Sequence, residues 1–173
     1  MTGDLDSVAK CLQLAIQMER DGKQYYLQIS GQCRDEVGKD LLAALAAAED
    51  VHRQKFESIY EATRLKRAWP EMELLPLGED VGTIFAEAIA RAKPGAESTA
   101  TETAALDKAI AMEIASYDYY MDLSKKAAHG SEQEFYEAVA AEEHQHQIAL
   151  LDYKEYLDDP AAWFVKTEHP SLD

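Results

Sequence analysis

Apolar side chains recur every three or four positions along most of the chain, the spacing that lines one face of an α-helix. Leu12, Ile16, Tyr26 and Ile29 form one such stripe, and Leu42, Leu45, Phe56 and Ile59 form another. The pattern predicts a first helix over residues 5–30, stopped by Gly31, and a second over residues 36–66. Ala, Leu, Glu, Lys and Gln dominate both segments, which favours helix over strand. Residues 67–97 break the pattern, because Trp69-Pro70, Pro76, Gly78, Pro94 and Gly95 leave room only for a short helix near 80–92. Thr99 with Glu102 reads as a capping box opening a third helix, which ends near His129-Gly130. Ser131 with Glu134 reads as a second box opening a fourth. Pro160 ends that pattern, and Trp163 and Phe164 are placed to fold back as a hydrophobic lid. Two helices, a long connection and two more helices predict an all-α four-helix bundle with one crossover. Its parts are a helix pair over 5–66, the crossover 67–97, a helix pair over 98–158 and a tail from 159 to 173, in a single domain.

The apolar stripes are interrupted. In AAEEHQHQIALL, residues 140–151, Glu143 and His146 lie on the face that also carries Val139 and Leu150. Burying an ionised carboxylate is costly unless something compensates it. Sliding the chain against itself by 94 positions shows that this is not isolated. Met18-Glu19 falls on Met112-Glu113, Tyr25-Tyr26 on Tyr119-Tyr120, and Glu49 and His52 on Glu143 and His146. One helix pair is used twice. Each copy has a single Glu on its first helix and, thirty residues later, a Glu-x-x-His on its second.

Glu19, Glu49, His52, Glu113, Glu143 and His146 are therefore the candidate metal ligands. Four carboxylates crowded into a bundle core repel one another and take up protons. Two divalent cations supply the four positive charges that cancel them, with the imidazoles neutral. Mixed oxygen and nitrogen donors suit iron or manganese, and zinc also binds such sets. A single Glu-x-x-His is most often an ordinary surface pair, and a metal-free network of buried Glu and His is the bland alternative for the duplicated set. Tyr26 and Tyr120 lie seven residues after Glu19 and Glu113, on the same faces, where their hydroxyls can support the ligand carboxylates. Ordinary aromatic core with a polar tip accounts for the same placement. Glu142 and Asp50 adjoin the ligand carboxylates and are candidates to orient a ligand His, with a solvated position as the alternative. His144, His129 and His169 fall outside the repeat: His144 points to the surface, His129 sits at a helix C-terminus and His169 in the tail.

The formal charge of −16 argues against nucleic acid and against anionic membranes as partners. No apolar run approaches the length of a bilayer span, and MTGDLDSVAK lacks the features of a signal peptide, so the expected location is cytoplasmic. Cys11 and Cys33 are the only cysteines, and a helix between them holds the thiols roughly 30 Å apart, too far for a disulfide.

IAMEIASYDYYMDLS followed by FYEAVAAEEHQHQIALLDYKEYL resembles the rubrerythrin branch of the ferritin-like di-iron superfamily, and the resemblance covers roughly residues 8–157. It implies a ferritin-like bundle with two iron ions held by the six residues, and Glu49 and Glu143 as the bridging carboxylates. It implies an oxidoreductase that meets hydrogen peroxide or dioxygen in oxidative stress, in a homodimer or larger homo-oligomer. Two departures stand out. The chain has no Cys-x-x-Cys pair, so its electrons come from a separate donor such as a rubredoxin. Rubrerythrins carry an extra Glu one turn after the third-helix ligand; here that position is Ser116, which leaves a set closer to the symmetric site of ferritins. The competing readings are a metal-binding or iron-storage protein without turnover, and a di-manganese catalase-like site.

Overall fold

The computed structural model describes residues 2–67, 69–70, 80–92, 99–160 and 162–163. Every regular element among them is helical: α1 (Thr2–Ser30), α2 (Glu36–Arg64), α3 (Val81–Arg91), α4 (Ala100–Lys126) and α5 (Gly130–Asp158). Helices α1 and α2 pack as one hairpin and α4 and α5 as another, the hairpins meet through α1 with α4 and α2 with α5, and α3 lies against α2 and α5.

Two apolar clusters fill the ends of the bundle. One joins Tyr26 and Ile29 late in α1 to Leu41 and Leu45 early in α2, Leu106 and Ile110 early in α4, and Leu150 and Tyr153 late in α5. The other joins Leu12 and Ile16 early in α1 to Phe56 and Ile59 late in α2, Tyr120 and Leu123 late in α4, and Phe135 and Val139 early in α5. Helix α2 thus ends beside one cluster while α4 begins beside the other, so the connection between them spans the bundle's length. That is the crossover expected from the sequence. Between the clusters lies a layer containing Glu19, Glu49, His52, Glu113, Glu143 and His146, all buried.

Local chemistry sets the helix ends. Asp35 caps α2, its Oδ1 accepting from the Gly38 N–H at 2.9 Å, and its Oδ2 takes the Tyr153 hydroxyl at 2.6 Å. Thr99 and Glu102 form the expected reciprocal box at α4. The box expected from Ser131 and Glu134 is not formed. Helix α5 starts two residues earlier, with His129 at its N-cap and no side-chain cap bond, and Glu132 instead accepts from the Ala128 N–H at 3.2 Å. Helix α4 stops at Lys126, short of the predicted end, and the turn over 127–129 delivers His129 rather than Ser131 to the N-cap. His129 accordingly sits at a helix N-terminus rather than a C-terminus. Trp163 packs against Phe85 and Tyr156, with ring centroids 6.1 and 6.0 Å away, as half of the expected lid; Phe164, His169, Pro76, Gly78, Pro94 and Gly95 lie outside the described residues. Cys11 and Cys33 are free thiols, and burial raises that of Cys33 to a pKa of about 11, so it is a poor nucleophile.

Gly38 is where α2 meets Tyr153. A Cβ there would stand 2.0 Å from the Tyr153 hydroxyl oxygen, which a buried, rigid ring cannot vacate cheaply. Gly38→Ala is expected to destabilise the protein by about 1–3 kcal/mol, as overpacking does. Thermal unfolding should show a melting temperature lower by several degrees, and an unchanged value would refute the close contact.

Candidate metal centre

Each functional side chain reaches the polar layer from mid-helix, flanked by apolar residues one turn away. Glu19 follows Ile16 on α1, Glu49 and His52 lie between Leu45 and Phe56 on α2, and Glu143 and His146 lie between Val139 and Leu150 on α5. The helical period that buries the leucines therefore buries the carboxylates and imidazoles as well.

The six side chains converge as two interlocking groups. Glu19, Glu49, His52 and Glu143 each bring one donor atom to within 4.8 Å of the others, and so do Glu49, Glu113, Glu143 and His146. Glu49 and Glu143 belong to both groups. Six buried atoms here have no hydrogen-bond partner among the described residues: Glu19 Oε2, Glu49 Oε1, His52 Nδ1, both oxygens of Glu143, and His146 Nδ1. His52 Nδ1 lies 2.9 Å from Glu143 Oε1, but out of hydrogen-bonding alignment. His146 Nδ1 stands 3.5 Å from Glu49 and 3.7 Å from Glu113. The two rings are stacked with centroids 5.7 Å apart, and both Nδ1 atoms approach Glu143, at 2.9 and 4.0 Å. Buried polar atoms are normally satisfied. Orphans confined to hard oxygen and imidazole nitrogen donors, all facing inward, are the donor set of a hard or borderline cation, and the residues fit a metal.

Electrostatics agree. Burial raises the pKa of Glu49 well above the usual carboxylate range, helped by Glu19, Glu143 and Glu113. Burial likewise raises Glu143, with Glu113 and Glu19 adding and His52 opposing. Burial also pushes Glu113 upward, but His146 and hydrogen bonds from its neighbours prevail and hold it below the ordinary value. His52 is raised: burial disfavours its charged form, yet the hydrogen bond to Glu142 and the nearby carboxylates of Glu143 and Glu19 outweigh that cost. Protons thus stand in for positive charge.

The tyrosines cross between hairpins. The Tyr26 hydroxyl on α1 donates to Glu113 Oε1 on α4, and the Tyr120 hydroxyl on α4 donates to Glu19 Oε1 on α1. Each supports the carboxylate of the other half, not the one seven residues before it. Burial and the neighbouring carboxylates raise both phenols well above their usual value, so they remain donors. Glu142 reaches His52, its Oε2 lying 3.0 Å from Nε2. Asp50 orients no histidine: Lys23 at 2.8 Å and Arg53 at 2.9 Å claim it and hold its pKa at about 2. His144 is exposed, 5.8 Å from the Tyr117 ring. Gly22 was not singled out from the sequence. A Cβ on it would meet Glu49 Oε2 at 2.7 Å, so its bareness makes room for that carboxylate. The signal was available, since Gly22 is the repeat mate of Ser116, and both are small residues one turn after a first-helix Glu.

Residues 10–90 match the rubrerythrin family. The chain is rubrerythrin-like. The match covers Glu19, Glu49 and His52; Glu113, Glu143 and His146 lie outside it and are tied to those three by the internal repeat. No curated protein and no solved structure gives a significant match. The rubrerythrin-like chain has a ferritin-like helical bundle, and none of its described helices is long and apolar enough to cross a membrane.

Proposed function

We propose that the chain is a non-haem di-iron oxidoreductase that reduces hydrogen peroxide or dioxygen with electrons from a separate donor protein. The observation that carries this reading is the pair of interlocking donor groups with orphaned atoms turned inward. In it, Glu19 and His52 would hold one metal and Glu113 and His146 the other, with Glu49 and Glu143 available to both. Two ferrous ions, when bound there, would supply the redox chemistry, two electrons and two protons being what converts one peroxide into two waters.

The chain's own residues prepare that reaction. The four carboxylates neutralise the cations in a layer sealed at both ends by apolar clusters, which excludes bulk water and strengthens each electrostatic contact. Tyr26 and Tyr120 hold one oxygen of Glu113 and Glu19 by hydrogen bonds, which leaves the second oxygen of each for a cation. Glu49 and Glu143, with raised pKa values, would give up their protons as metal binds.

Anaerobic loading with two equivalents of ferrous iron, followed by stopped-flow mixing with peroxide or with oxygenated buffer, tests the reading. A ferric absorption band at stoichiometric iron, and repeated peroxide consumption once an electron carrier is added, are expected. Absence of the band with both oxidants overturns the redox reading. Retention of many irons per chain without turnover would replace it with storage.

A further inference from the structure

The two halves of the centre repeat each other in every donor but differ in the residue behind the histidine. His52 turns Nδ1 toward the carboxylates and Nε2 toward Glu142, 3.0 Å away across the α2–α5 contact. The repeat mate of Glu142, 94 residues earlier, is Ala48, a buried methyl with nothing to offer His146. Asp50, the other acidic neighbour on α2, is held by Lys23, Arg53 and Gln54. One imidazole therefore has a carboxylate at its back, and the other has no counterpart from the repeat.

On the di-iron reading above, we propose that Glu142 is a positioning residue that makes the centre fill in order, the group containing His52 first and the group containing His146 second. A carboxylate accepting from Nε2–H fixes the tautomer with the Nδ1 lone pair free, locks the ring plane and makes Nδ1 a stronger donor. Such partners are worth about 10–100-fold in metal affinity. Glu49 and Glu143 serve both groups equally, so they cannot create the difference. The duplicated ligands make two similar sites, and Glu142 makes them unequal.

The test is an anaerobic titration of the metal-free full chain with cobaltous ion, followed by calorimetry and by the visible bands of bound cobalt. Two steps are expected, with dissociation constants about 10–100-fold apart. Glu142→Ala should weaken the tight step by about that factor while moving the weak one less than about threefold. Glu142→Gln, whose amide oxygen can still accept from Nε2–H, should restore most of the loss; a merely structural role would shift both steps together. His146→Gln should keep the tight step and its cobalt spectrum, and His52→Gln should lose them, which fixes the order even if the Glu142 variants fold poorly. Two equal steps in the unaltered chain, or a tight step that survives His52→Gln, would overturn the inference. No cobalt binding at all would instead remove the dinuclear reading on which it rests.

Discussion

Glu49→Ala and Glu143→Ala will each yield a chain that carries at most one metal ion, whereas His144→Ala will carry two. The reason is the sharing of donors: Glu49 and Glu143 stand in both groups, so removing either strips an oxygen from both sites and uncovers the charge between the two cations. His144 is exposed and turned away from the layer. Metal analysis after anaerobic ferrous loading and gel filtration decides the matter, and equal content in the three variants would show the assignment to be wrong. The metal-free forms carry a second signature. Because burial and like charge raise Glu49, a neutral side chain of the same shape should relieve repulsion there. Metal-free Glu49→Gln should melt above the metal-free parent at pH 8, although it binds metal worse.

Chelation should have an effect of similar size. With free metal at about 100 times the dissociation constant, each site adds about 2.7 kcal/mol, and two add roughly 5 kcal/mol. For a chain of this length that raises the melting temperature by about 10–20 °C over the metal-free form. The gap should widen as pH rises. Glu49 and Glu143 have raised pKa values in the folded chain, so their contribution is complete below the ordinary carboxylate value near 4.3 and is lost as pH climbs through the raised ones. His52, also raised, has the same sign: its contribution is complete below about 6.5 and lost above. Glu113 is lowered and acts oppositely, its contribution fading only on acidification below about 4.3. Between about pH 5 and 8 the metal-free protein therefore loses stability, while cations that displace these protons bind more tightly. Melting curves with and without chelator across that range would show it, and a gap independent of pH would contradict it.

Helical periodicity carried the fold a long way, because the same 3.6-residue spacing that places Leu12, Ile16 and Glu19 on one stripe is what the bundle buries. The grouping of the six polar core residues was legible for a different reason: a duplicated pattern survives the ambiguity of any single Glu-x-x-His. What escaped was geometry between helices. Tyr26 lies on the face of Glu19, yet its hydroxyl ends on Glu113 of another helix, a distance no spacing along one helix encodes. Glu142 and Asp50 looked alike as acidic neighbours of a core Glu, and packing separated them, because α5 aims Glu142 at His52 while Lys23 and Arg53 claim Asp50. The Ser131 box failed because capping depends on where the preceding turn delivers the chain, and His129 arrived at the N-cap first. Gly22 and Gly38 matter through the neighbours they admit, which only coordinates reveal.

The crossed tyrosine bonds carry a further implication for how such a protein comes to exist. Either hairpin by itself owns a complete kit, one Glu, one Glu-x-x-His and one Tyr, but its Tyr is aimed at a carboxylate it does not possess. Two identical hairpins laid face to face would satisfy each other, so the architecture is the one that joining such a symmetric pair into one polypeptide would give. The covalent link then raises the local concentration of each hairpin for its mate. One polypeptide also allows the two copies to differ, as Glu142 opposite Ala48 does.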